Sequence, residues 1–243
     1  MLWLLLSAAA AFSQQKPSAE EVIRRIDRLY RAESSFALME MEIVNPNWRR
    51  TLRMRAWSEG TDKTLIRILD PAKERGTGTL RIGTEMWNYL PKINKTIRIP
   101  PSMMMSSWMG SDFTNDDLVK EFTFAADYEF RYVEVDHPEP DRLYIECRPK
   151  EGRPIVWDRV LLVVDAQSLL PASEQYYDAQ GELMRTMSFS DVRSFGDRTI
   201  PSVLELIPHG GKGKTVIRYL EAEFNIDVPA DTFTTRNLRT FRE

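Results

Sequence analysis

From Ser35 onward, apolar residues recur at every second position along most of the chain. Only extended strands with one dry and one wet face satisfy that period. In Trp48-Arg49-Arg50-Thr51-Leu52-Arg53-Met54-Arg55-Ala56-Trp57, the apolar positions are Trp48, Leu52, Met54 and Ala56, and those between are mostly cationic or polar. Residues 79–82, 96–99, 142–148 and 204–206 repeat the alternation. Turn chemistry separates the runs at Asp136-His137-Pro138-Glu139-Pro140-Asp141, Asp178-Ala179-Gln180-Gly181 and Gly210-Gly211-Lys212-Gly213. Runs bounded in this way predict about ten or eleven antiparallel strands.

A sheet with so many strands curls, and its inner face must be filled by side chains, covered by helices or occupied by a ligand. One clear helix is available as a cover. Ser18 and Glu21 have capping-box spacing after Pro17. Val22, Ile23, Ile26, Leu29 and Tyr30 share one face, while Arg24, Arg25, Asp27, Arg28 and Arg31 are expected to face out. No Gly-, Ser- or Pro-rich linker divides the chain. The expected fold is mainly β with α: a strongly curved antiparallel sheet covered by an N-terminal helix and short lid helices, forming a single domain over residues 14–243.

Residues 1–13 precede that domain. Met1-Leu2-Trp3-Leu4-Leu5-Leu6 runs into Ser7-Ala8-Ala9-Ala10-Ala11-Phe12-Ser13, an apolar stretch too short to span a bilayer that ends in small residues. This is the pattern of a secretory signal peptide. Cys147 is the only cysteine, so no intramolecular disulfide can form and no acylation acceptor follows the apolar stretch. The expectation is an exported, soluble, periplasmic protein that is not itself lipidated. With 36 acidic against 33 basic residues and a net charge of -3, a nucleic-acid partner is not expected.

One segment departs from the two-residue period. Pro100-Pro101-Ser102-Met103-Met104-Met105-Ser106-Ser107-Trp108-Met109-Gly110-Ser111-Asp112-Phe113 carries four of the eleven methionines with a tryptophan and a phenylalanine. It leads into Thr114-Asn115-Asp116-Asp117-Leu118, where Thr114 or Asn115 can cap a short helix. We read it as two short helices, or a helix and a loop, across the mouth of the sheet. Methionine is flexible and polarisable and suits apolar surfaces that take varied ligands. The same residues could equally plug the core. A Cu(I) site of thioethers is disfavoured because three consecutive methionines cannot converge and no His or Cys stands nearby.

Catalytic spacing is missing from the sequence. His137 and His209 sit in turns without zinc-ligand spacing, and Cys147 alternates with Leu143 and Ile145 as a core residue would. The Asp116-Asp117 and Glu20-Glu21 pairs read as helix-start charges. No catalytic residue, metal or cofactor is assigned.

Gly83-Thr84-Glu85-Met86-Trp87-Asn88-Tyr89-Leu90-Pro91, followed by Lys95-Thr96-Ile97-Arg98-Ile99, resembles the central hairpin of the LolA-type periplasmic lipoprotein carriers. The methionine block with Ser111-Asp112-Phe113-Thr114-Asn115-Asp116-Asp117-Leu118 is similar to the branch of outer-membrane lipoprotein-sorting proteins, and Asp227-Val228-Pro229-Ala230-Asp231-Thr232-Phe233-Thr234 is similar to the family's closing motif. The resemblance runs through the whole mature chain. It implies an unclosed half-barrel with helices over its concave face and an apolar cavity between, where acyl chains bind.

On this reading the chain is a periplasmic carrier of lipoproteins or another lipid, with acyl chains held against Trp87, Tyr89, Met103, Met104, Met105, Trp108, Met109 and Phe113. Its expected partners are the lipid or lipoprotein ligand, an inner-membrane ABC or RND-type permease and an outer-membrane receptor. The lid-locking arginine of such carriers has no matching motif here; Arg53 and Arg55 are candidates by strand position. The alternatives are a lipid-sensing regulator that uses the same cavity and an assembly factor with a filled core.

Overall fold

The computed structural model describes residues 16–30, 32–120, 124–153 and 155–240. The segment read as a signal peptide lies outside the described residues, as does Arg31.

Six strands follow one another as an antiparallel meander: β1 (Ser34–Asn45), β2 (Trp48–Glu59), β3 (Lys63–Asp70), β4 (Gly78–Ile82), β5 (Glu85–Leu90) and β6 (Lys95–Arg98). Seven more form a second meander: β7 (Tyr128–Tyr132), β8 (Arg142–Pro149), β9 (Arg159–Asp165), β10 (Pro171–Tyr177), β11 (Leu183–Phe195), β12 (Arg198–Pro208) and β13 (Lys214–Phe224). Antiparallel pairing of β1 with β13, from Ser35 opposite Phe224 to Val44 opposite Lys214, fuses the two meanders into one thirteen-stranded sheet. β6 and β7 are its unjoined edges, and the architecture is an unclosed half-barrel. Register shifts at Leu38/Met39 and Arg53/Met54, on neighbouring strands, add the local bend and twist that a bulge produces.

The alternation predicts fewer strands than the thirteen among the described residues. The period of two fades where both faces are covered. Gly78, Thr79, Leu80 and Arg81 of β4 are all buried, as are the five residues Val160 to Val164 of β9. Trp48 departs from its expected place in the other direction: it begins β2 beside the hairpin turn and is 46% exposed.

The order of strands explains where the cover goes. The chain leaves the sheet at one edge, β6, and re-enters it at the opposite edge, β7. The connection therefore has to cross the open side of the half-barrel. It contains a 3-10 turn at Pro101–Met103 and two short helices, α2 (Asn115–Lys120) and α3 (Phe124–Asp127).

The N-terminal helix α1 (Ala19–Asp27) covers the half built from the second meander. Its capping box forms as the sequence predicts. The Ser18 hydroxyl accepts the Glu21 N–H at 3.2 Å, and the Glu21 carboxylate accepts the Ser18 N–H at 2.7 Å. Val22, Ile23, Ile26, Leu29 and Tyr30 are buried against Ile145, Cys147, Leu162 and Phe189. Asp27 departs from the outward-facing expectation. Its carboxylate accepts the backbone N–H groups of Phe124 at 3.1 Å and Ala125 at 2.9 Å, which ties α1 to the start of α3.

A third apolar cluster lies on the outer face of the first meander. There Phe233 and Leu238, from the closing segment and its helix α4 (Thr235–Arg239), cover Leu65, Leu80 and Tyr89. Thr234 caps α4 by accepting the Asn237 N–H at 3.0 Å. Buried Arg67 donates to the carbonyls of Asn237 at 2.8 Å and Leu238 at 3.3 Å, satisfying acceptors that a helix end leaves open.

Candidate functional site

The concave face carries two apolar clusters with a seam between them. One lies under α1; the other gathers Met39, Met41, Ile43, Leu52, Met54, Ile66, Ile68, Met86 and Leu206 under Trp108 and Phe113 of the lid. A cavity of about 160 Å³ opens along the seam. Met39, Met41, Met54, Ile66, Trp108, Phe113, Leu206 and Ile217 line one part of it, and Tyr128, Trp157, Glu174, Tyr176, Arg185, Asp117 and Asp127 line another.

Within the lid, the backbone doubles back so that two aromatic side chains point down. Met109 (φ 53°) and Gly110 (φ 74°) take consecutive left-handed conformations, and the Trp108 N–H then donates to the Phe113 carbonyl at 2.7 Å. A Cβ on Gly110 would also come within 3.2 Å of the Arg50 guanidinium. Trp108, 2% exposed, donates its indole N–H to the Thr79 hydroxyl of β4 at 3.1 Å. A buried indole needs such a partner. Phe113 is held next to a reciprocal pair: the Asp112 N–H donates to the buried Thr215 hydroxyl at 3.0 Å, and that hydroxyl donates to the Asp112 carboxylate at 2.7 Å. Asn115, also buried, donates to the carbonyls of Met103 at 3.0 Å and Ser106 at 3.3 Å, binding the methionine turn to the start of α2.

Two arginines reach from the sheet to the lid. Arg50 of β2 donates to the Met109 carbonyl and pairs with Glu74 at 2.9 Å. Arg185 of β11 grips Asp117 of α2 with two hydrogen bonds of 2.8 and 2.6 Å. The Arg185 guanidinium lies 4.5 Å from the Trp157 ring centroid and 4.3 Å from that of Tyr176, so it is both ion-paired and stacked. Asp117 also accepts the Thr114 N–H at 2.7 Å and hydroxyl at 2.9 Å, while the Thr114 hydroxyl accepts the Asp117 N–H at 3.1 Å.

Burial opposes the charge on both partners and the pair overcomes it. Desolvation by itself would raise the Asp117 carboxyl; hydrogen bonds and charge from Arg185, with the Thr114 contacts, hold it below the usual carboxylate value. Desolvation would lower Arg185, and Asp117 holds it above its usual value. Beside them, Tyr176 donates its hydroxyl to Glu174, which is 2% exposed. Burial, with the nearby Cys147, Glu174 and Asp127, pushes the Tyr128 phenol well up.

Of the residues assigned from sequence, Trp108 and Phe113 line the cavity. Met104 and Met109 pack, partly buried, against the cluster around Trp108. Met103 and Met105 are 47% and 42% exposed on the lid. Trp87 and Tyr89 lie with Phe233 and Leu238 in the outer-face cluster, because Met86 takes the concave face of β5 and its neighbours must point the other way. Arg53 and Arg55 alternate with Met54 and so share the outer face; the arginines that hold the lid are Arg50 and Arg185. The Asp116-Asp117 pair exceeds a helix-start charge, since Asp117 is the anchor of α2. Cys147 is fully buried in the core, where burial and neighbouring acids push its thiol well up.

Sequence reasoning missed Arg185, Glu174 and Tyr176. A signal was present: in Arg185-Thr186-Met187-Ser188-Phe189 the arginine occupies the same face as Met187 and Phe189. A charge in the apolar register of a strand requires a buried partner. Arg50 breaks the pattern of Leu52 and Met54 in the same way.

Comparison with known proteins identifies the architecture. A family model whose description reads "Uncharacterized protein" matches residues 60–240. No curated protein matches the sequence. A DUF1329 family protein from Desulfovibrio piger superposes with a TM-score of 0.80 at 22% identity, covering 90% of this chain and 97% of that one. A LolA superfamily protein from Nitrosomonas europaea gives a TM-score of 0.76 at 20% identity, covering 91% and 99%. A domain from Vibrio parahaemolyticus named for outer membrane lipoprotein sorting gives 0.75 at 21%, covering 91% and 98%. These likenesses show the LolA-type fold that the Gly83-to-Phe113 motifs imply.

Proposed function

We propose that this chain, which belongs to the family whose model spans residues 60–240, is an exported carrier that shields the acyl chains of a lipoprotein or another lipid. The observation that carries this reading is the apolar cavity between the curved sheet and the Trp108–Phe113 lid. The LolA-type fold supports it.

The cavity between sheet and lid is small. At about 160 Å³ it resembles an engineered cavity of roughly 150 Å³ that admits a single benzene. A long acyl chain needs more room, so loading requires the lid to move. The lid is built for that: its apolar contacts are adaptable methionines and two aromatics, and its polar anchors are a few discrete bonds from Arg50, Arg185, Thr215 and Thr79. Each methylene buried after opening contributes roughly 0.8 kcal/mol, so several chain carbons offset the anchors lost. Release then requires a receiver with a better apolar site.

We further read residues 1–13 as a signal peptide that sends the chain to the periplasm, with an inner-membrane ABC or RND-type permease loading it and an outer-membrane receptor unloading it. Nothing in this role calls for catalysis. The test is expression with export, followed by native mass spectrometry and lipid extraction of the purified chain. Copurifying lipid, and release of lipoproteins from spheroplasts, are the expected results. A chain that is empty and releases none overturns the reading.

A further inference from the structure

Residues 86–111 contain no aspartate or glutamate, the longest acid-free run in a chain whose 243 residues include 36 acids. The run covers most of β5, the edge strand β6 and the methionine turn of the lid, and it carries Lys92, Lys95 and Arg98. Along it the fold leaves large apolar side chains in water: Ile93 is 56% exposed, Ile97 43%, Met103 47% and Met105 42%. Going beyond the carrier reading and independent of it, we propose that this rim of the half-barrel is a docking face for a membrane surface that carries anionic lipid.

The edge of the sheet sets the rim. Ile97 pairs with Asn88 and Asn88 with Thr79, the residue that holds the Trp108 indole, so Ile97 stands on the concave side at the mouth. Two residues on, Ile99 packs against the cluster under Trp108, and the chain turns into Pro101–Met103. Ile93 sits in the 3-10 turn Pro91–Ile93 that joins β5 to β6, where Asn94 (φ 48°) takes a left-handed conformation and closes the hairpin. Hairpin tip, edge strand and lid turn thus present apolar side chains along one continuous stretch of backbone.

The charge along the rim is positive. Arg98 pairs with Glu85 of β5, so those two add no net charge. Lys92 and Lys95 are exposed, and neither has an ion-pair partner among the described residues. Asp116 of α2 meets the lid turn through its backbone, donating its N–H to the Met104 carbonyl at 2.8 Å, and it lines the cavity. A short edge strand with lysines also resists pairing with another sheet edge. That guard, however, needs no exposed isoleucine or methionine. Lysines set among apolar side chains match a lipid interface: the ammonium groups meet phosphates at the surface while the apolar side chains enter the head-group boundary. Docked in this way, the mouth of the cavity and the first turn of the lid face the bilayer.

The experiment is flotation of the purified, exported chain with vesicles of phosphatidylcholine alone or of equal parts phosphatidylcholine and phosphatidylglycerol. Binding to the anionic vesicles alone is expected, and it should weaken as salt is raised. Lys92→Gln with Lys95→Gln, and separately Ile93→Ser with Ile97→Ser, are each expected to lower that binding roughly tenfold or more. All four positions are exposed, so both variants should melt as the unmodified chain does. Val192→Ser, at a 53% exposed position of β11, is expected to leave binding unchanged. Lipid retention should be the same in both double variants, because none of the four side chains lines the cavity. Equal binding to neutral vesicles, or binding unchanged in both folded double variants, overturns the docking inference and leaves the carrier reading standing. Binding to neither vesicle also overturns it and assigns the rim to a protein partner. A chain that docks but retains no lipid overturns the carrier reading instead.

Discussion

Arg185 on β11 and Asp117 on α2, 68 positions apart in the chain, close on each other through two parallel hydrogen bonds of 2.8 and 2.6 Å at side-chain exposures of 9% and 17%. The pair joins the lid to the second meander, as Arg50 and Met109 join it to the first. Removing one partner leaves the other buried and unpaired, which costs about 3–5 kcal/mol. Asp117→Ala is therefore expected to free the lid, seen as lost hydrogen-exchange protection across residues 103–118 while β8 and β9 stay protected. The double change Asp117→Leu with Arg185→Met removes both charges and should recover most of the loss in urea unfolding.

Acid should loosen the same latch. The folded-state carboxyl of Asp117 is held below its ordinary value of 3.8. A depressed carboxylate contributes stability that is present above the unfolded value and lost as pH falls through the folded one. Lid protection at residues 103–118 is thus expected to be constant from neutrality down to about pH 4 and to fall below that. Asp117→Asn should abolish the acid step, which hydrogen exchange across a pH series would register.

Trp108 tests whether lid and core separate. Its ring is 2% exposed and its indole N–H is bonded to Thr79. Truncating such a residue to alanine costs about 3–5 kcal/mol when the whole fold depends on it. On the carrier reading, Trp108→Glu or Met104→Glu abolishes retention of lipid, while circular dichroism and the melting transition of the sheet change little. Global unfolding of these variants would make the lid a plug of the core.

The outer face predicts the opposite pattern. Leu238 is fully buried and lies over Gly78, where an added Cβ would come within 2.7 Å of its Cδ1. Leu238→Ala should lower stability by about 2–5 kcal/mol without altering displacement of a lipid probe, because α4 is on the other side of the sheet from the cavity. A matched loss of probe binding would place the ligand elsewhere.

Gly110 offers a smaller effect at the lid itself. Its φ of 74° favours glycine, and a Cβ there would approach Arg50 at 3.2 Å. Gly110→Ala is expected to cost about 1 kcal/mol and to raise the rate of lid opening, measurable as faster probe exchange by stopped flow.

What could be read in advance depended on periodicity. The two-residue alternation declares an antiparallel sheet, Ser18 and Glu21 declare the start of α1, and the loss of period between Pro100 and Asp117 marks the lid. Each is a local property, written in neighbouring residues. The alternation cannot say which face will be concave or what will cover the other one. Trp87 and Tyr89 are apolar on alternate positions of β5, as a cavity lining would be, but α4 arrives from more than a hundred residues away to bury them on the outer side. Arg185 stands in the apolar register of β11 and so calls for a buried partner, but only the meeting of β11 with α2 makes that partner Asp117. The sequence by itself determined the strands, the capped helix and the odd segment between the two halves, because these rest on the preferences of adjacent residues. Only the tertiary structure decided that the segment spans from edge β6 to edge β7, and which charges meet beneath it. Those contacts are made by groups whose separation along the chain is set by the topology of the whole sheet.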